Sequence, residues 1–170
     1  MIFCDLDGTL TDFVGRCNDL LPFDFFELQA KHGPDVIWPD INKYGINFWV
    51  GMQWMPDGKK LWNYLIANYR NIRVLSGVPR YKMSRYPKLG KHTWIDNNLG
   101  IYIERELVRR GDKVKFCDGY QDILIDDYEK TVLEWRANGG TAILHTSAKS
   151  TICQLKKLKG QNEDKNGFCK

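Results

Sequence analysis

Asp5 and Asp7 stand two residues apart at the end of a short apolar run, and Gly8 follows at once. A buried strand over Ile2 to Cys4 would carry Asp5 to its carboxyl end, where open α/β sheets bind ligands, and the glycine would let the chain turn away. Two carboxylates so close do not both ionise comfortably without a cation, so the spacing predicts either a bound divalent metal or a strongly raised pKa. Either suits catalysis at phosphorus. Asp5 would be the nucleophile, and Asp7 would protonate the leaving oxygen and later activate water. By itself the Asp-x-Asp-Gly string is also an ordinary turn.

A second acidic pair supports the chemical reading. Ile123-Leu-Ile leads directly into Asp126 and Asp127, and if this strand neighbours the first in a parallel sheet, the carboxylates meet as a hard Mg²⁺ requires. A third apolar run, Ile72-Arg-Val-Leu, ends in Ser76 and Gly77, whose hydroxyl and amide could hold phosphate oxygens. Positive charge would come from Lys113, with Lys115 as its rival.

Acidic pair, hydroxyl, lysine and acidic pair in this order resemble the four motifs of the haloacid dehalogenase (HAD) superfamily. Asp7, two residues past the first aspartate, is the mark of its phosphatases rather than its dehalogenases. The resemblance implies Mg²⁺ held by Asp5, the backbone carbonyl of Asp7, and Asp126 or Asp127. Segments outside these motifs are similar to the 5′(3′)-deoxyribonucleotidase group: the opening D-L-D-G-T-L-T-D-F, Asn47-Phe48-Trp49 ahead of Met55-Pro56-Asp57-Gly58, Lys91-His-Thr-Trp94 running to Gly100, and Asp122 to Asp127. That likeness covers most of the chain. It places Phe13 on a base-stacking aromatic, sets Phe48 and Trp49 beside the base, and gives Lys91 a part in binding phosphate. Leu75 stands where the group has threonine, and the stretch from Lys113 to Asp126 is a few residues longer.

The expected activity is therefore Mg²⁺-dependent hydrolysis of nucleoside monophosphates through an aspartyl-phosphate, in nucleotide salvage. Two other readings are a phosphatase of nucleic-acid ends and a nucleotide-binding protein without turnover. The aromatic insert, with only Lys31 and Lys43 between Pro22 and Met55, does not form the basic channel that an end-processing enzyme needs, so a nucleic-acid partner is not expected. Monomer and homodimer both stay open.

The elements that must position these groups alternate between strand and helix. Asp12 to His32 reads as two short helices interrupted at Pro22, and Gly33 to Met55 as an irregular aromatic insert. Asp57 to Tyr69 reads as a helix with Asp57 near its start, Pro79 to Asn98 as a helix broken near Pro87, and Glu106 to Arg109 as a strand. A helix from beyond Asp127 to Arg136, a strand over Thr141 to Leu144 and a final helix containing Ile152, Leu155 and Leu158 complete the chain. Repeated β-α-β units predict a three-layer α/β/α sandwich with a Rossmann-like parallel sheet, its core in residues 1–12 and 57–160 and a small cap in about 13–56. Trp38, Trp54 and Trp62 are expected in the packing.

With 170 residues, 43% hydrophobic and 27% charged, the chain is long enough for a buried core, and nothing in it resembles a membrane span. No leader is expected, because Met1 runs straight into the first strand. Five cysteines without a Cys-x-x-Cys pair, and three scattered histidines, point away from zinc and toward a reducing cytoplasm. Cys4 reads as a small apolar filler. The lysine-rich end from Ser147 reads as a solvated helix face passing into a flexible tail at 160–170.

Overall fold

The computed structural model describes residues 1–33, 35–79 and 85–160. Five strands, β1 (Ile2–Cys4), β2 (Ile72–Gly77), β3 (Glu104–Val108), β4 (Ile123–Asp126) and β5 (Thr141–Leu144), form one parallel sheet in the order β3-β2-β1-β4-β5. The chain builds outward from β1 to β3, then returns to the other side of β1 for β4 and β5. The direction of winding therefore reverses between β1 and β4, and the carboxyl ends of these two strands flank the crevice where such sheets bind ligands.

Both faces of the sheet are covered, and the strand period of two decides which residue goes where. Ile2, Cys4, Val74, Ile125 and Ile143 point to one side, where they pack with Leu61 and Leu65 of α5 (Gly58–Asn68), Trp94 and Ile95 of α6 (Arg85–Asn98), and Ile152 and Leu155 of α8 (Ala148–Leu158). Phe3, Leu75, Leu124 and Ala142 point to the other side, against Val132 and Trp135 of α7 (Glu129–Ala137). Cys4 is wholly buried, and burial pushes its thiol pKa up, as suits an apolar filler. Cys17 and Cys117 are also free thiols.

Between β1 and α5 lie four short helices: α1 (Phe13–Leu20), α2 (Phe25–His32), α3 (Trp38–Lys43) and α4 (Ile46–Val50). The first two match the expected pair. Asp12 and Asp24 cap them, accepting from Gly15 N and from Phe26 and Glu27 N respectively. The expected irregular stretch instead holds α3 and α4, of six and five residues, which are too short for a periodic pattern to show.

Other departures have local reasons. Helix α6 runs through Pro87 to Asn98 without the expected break. Asp57 makes no side-chain cap on α5 and instead accepts from Ala148 N at 2.6 Å, closing the start of α8. The third strand begins two residues earlier than expected. Leu158 is exposed, while Trp62 is buried and Trp38 and Trp54 pack partly buried against the core. The expected tail beyond residue 160 lies outside the described residues; of the helix expected from Pro79, Pro79 itself is not helical and residues 80–84 lie outside the described residues. Among the described residues no helix is long and apolar enough to cross a membrane.

Candidate active site

Strand β1 ends at Cys4, and Asp5 continues its line by donating its backbone N–H to Ile125 O at 2.9 Å. The chain then folds into a tight loop. Leu6 N donates to Asp5 Oδ1 at 2.7 Å, Leu6 O accepts from the amide of Thr11 at 2.8 Å, and Gly8 N donates to Thr11 O at 2.8 Å. Gly8 has φ +74°, and a Cβ on it would stand 2.1 Å from Asp127 Oδ2. Both the turn and the close approach of the second acidic pair therefore require glycine.

Asp126 closes β4, and Asp127 follows it out of the sheet. One carboxylate oxygen from each of Asp5, Asp126 and Asp127 lies within 4.8 Å of the others. Burial and then the Asp5 charge push the Asp126 pKa up to about 6. Burial, Asp5 and Asp126 push that of Asp127 up to about 7. Oxygen donors so grouped, destabilised as anions by one another, fit a hard divalent cation. Protons and cation compete for the same oxygens, so affinity must fall as pH drops through about 7 and then 6. Calorimetric titration with Mg²⁺ should give binding more than about tenfold weaker at pH 5.5 than at pH 8, and equal affinities would exclude these carboxylates as the ligands.

Two buried lysines neutralise the rest. Lys113, 2% exposed, is held by a 3₁₀ helix over Arg110–Phe116, with Nζ 2.9 Å from Asp5 Oδ2 and 2.7 Å from Asp126 Oδ2. Burial works to lower its pKa, but the charges of Asp5 and Asp126 outweigh it and the net direction is upward. Lys115 points to solvent and pairs with Asp112.

Lys91 is not a solvated helix lysine. It is 0% exposed and donates to Asp7 Oδ2 at 2.6 Å, Gly77 O at 2.6 Å and Ser76 Oγ at 3.0 Å. Gly77 thus presents its carbonyl to this cluster. The Asp7 carboxylate lies outside the three-oxygen group. It turns to Lys91 and to the Thr11 hydroxyl at 3.3 Å, and burial holds its pKa above the ordinary value.

The aromatics are arranged differently from the sequence expectation. Phe48 and Trp49 are 0% and 1% exposed, packed with half-buried Phe13, and neither presents an open face to a base. Both are the buried residues of α4, and their side chains turn into the main core. Sequence reasoning also passed over Thr11, which braces Asp7, and Thr9, whose buried hydroxyl has no hydrogen-bond partner among the described residues. Both threonines lie inside the Asp-x-Asp-Gly-Thr-Leu-Thr string, so their place in the loop was the available signal. On the rim, the Arg110 guanidinium lies 4.3 Å from the centroid of Tyr128.

No protein-family model matches the chain, and no curated protein does. Among solved structures it is similar to a hydrolase from Streptococcus pneumoniae TIGR4, at 14% sequence identity. The match covers 94% of this chain and 97% of that one, with a TM-score of 0.51. The two share a fold. For this chain that fold is the three-layer α/β sandwich expected from the sequence.

Proposed function

We propose that this chain is a Mg²⁺-dependent phosphomonoester hydrolase of the HAD type, acting on nucleoside monophosphates through an aspartyl-phosphate on Asp5. The observation that carries this reading is the meeting of Asp5, Asp126 and Asp127 at the winding reversal, with Lys113 between two of them. The fold shared with a hydrolase is in keeping with it. Asp5, the carbonyl of Asp7, Asp126 and Asp127 would hold Mg²⁺, which when bound offsets the charge of the phosphate oxygens.

Asp5 attacks phosphorus as the ester bond breaks, and the departing oxygen takes a proton from Asp7, whose raised pKa suits an acid. Water then attacks the acyl phosphate. Asp7 accepts its proton, and inorganic phosphate leaves with Asp5 regenerated. Lys113 steadies the Asp5 carboxylate. Ser76, whose oxygen already accepts from Lys91, keeps its own O–H to donate to a phosphate oxygen. Support for a nucleoside leaving group comes from the resemblance to deoxyribonucleotidases and from Phe13, the member of the aromatic trio that retains some exposure.

The test is phosphate release, with Mg²⁺, from a panel of ribo- and deoxyribonucleoside monophosphates alongside a 3′-phosphorylated oligonucleotide. Release from the monophosphates is expected. Preference for the oligonucleotide would transfer the activity to nucleic-acid ends, and no release from any substrate would overturn the hydrolase reading.

A further inference from the structure

Lys91 spends its three N–H donors on Asp7, Ser76 and Gly77 O, and its ammonium also lies 5.2 Å from the centroid of the Trp49 ring. That distance is within cation–π range, where a desolvated ammonium gains most. Trp49 has no surface to offer a ligand, being 1% exposed and stacked on Phe13 at 5.7 Å with 27° between the rings. The residue before Lys91 completes the arrangement. A Cβ on Gly90 would stand 2.3 Å from Trp49 Cβ and 3.1 Å from Ile46 O, so α6 meets α4 closely because position 90 has no side chain.

We propose that Trp49 is a positioning residue. Its ring and its packing on Gly90 hold the Lys91 ammonium against Asp7 and Ser76, and so set the orientation of the acid–base carboxylate without touching substrate. Without the ring, a compact and strongly hydrated ammonium on a four-carbon stem gains water in place of the π face and is free to swing from Asp7. The catalytic part of this inference rests on the phosphatase reading, whereas the hold of Trp49 on Lys91 does not.

The experiment compares wild type, Trp49→Leu and Trp49→Phe by two readouts. Reductive methylation with formaldehyde and cyanoborohydride, followed by peptide mass spectrometry, reports how well each lysine is protected. In W49L, Lys91 should be labelled about tenfold faster than in wild type while Lys113 keeps its protection. Steady-state kinetics on a nucleoside monophosphate should show kcat lowered about tenfold and KM within about twofold, the split expected when a carboxylate is misplaced while the base is still held as before. W49F, which retains a weaker ring face, should fall between the two. Protected Lys91 in folded W49L, exposed Lys91 with unchanged kcat, or an effect confined to KM would each overturn the proposal. If W49L does not fold, W49F decides: labelling faster than wild type supports it and wild-type protection overturns it. An inactive wild type would defeat the phosphatase reading and with it the catalytic part, leaving the labelling to decide the hold on Lys91.

Discussion

Asp5→Asn is expected to lower phosphate release from nucleoside monophosphates by on the order of 10³- to 10⁵-fold, because the amide cannot act as the nucleophile. The variant should still fold. Its side-chain oxygen can accept from Leu6 N as Asp5 does, and Lys113 keeps Asp126 as a partner. A chemical readout separates failed attack from failed binding: acid-quenched wild type incubated with labelled substrate should carry phosphate on protein, and the variant none. Turnover at the wild-type rate in Asp5→Asn would remove Asp5 from the mechanism and leave the acidic cluster as a cation site alone.

Lys113→Ala should have the largest effect on stability. Asp5, Asp126 and Lys113 are 6%, 0% and 2% exposed, so truncating the lysine strands two carboxylates in the interior without their counter-charge. Breaking a buried pair in this way costs about 3 to 5 kcal/mol. Urea unfolding should show the loss as a lower midpoint at pH 8. Millimolar Mg²⁺ should recover part of it, since an ion bound only by the folded chain stabilises by mass action. An unchanged midpoint would show that water reaches this cluster and that Lys113 is not a structural counter-ion. A lower midpoint that Mg²⁺ does not raise would separate Lys113's structural role from any cation site.

The strand ends were legible in the sequence because the chemistry follows the hydrophobic runs without a gap. Ile2 to Cys4 leads into Asp5, Ile72 to Leu75 into Ser76, and Ile123 to Ile125 into Asp126. In a parallel sheet such runs are buried on both faces and terminate together at the ligand-binding edge. That is why the α/β layering and the meeting of Asp5 with Asp126 and Asp127 could be anticipated from local pattern. The insert between β1 and α5 was less legible. Its helices α3 and α4 span fewer than two turns each, and they are held by packing rather than by propensity.

Sequence by itself determined where the acidic groups and the serine leave their strands, because that depends on neighbouring residues and on the two-residue strand period. Tertiary structure decided which cations meet them and which aromatics stay open. Lys91 reaches Asp7 across 84 residues of chain and Lys113 reaches Asp126 across 13, while Lys115, two residues on, faces solvent. A long flexible side chain takes its place from neighbours distant in sequence. Burial, which turned Trp49 from an expected ligand contact into an interior wall, belongs to the packed molecule and not to any segment of it.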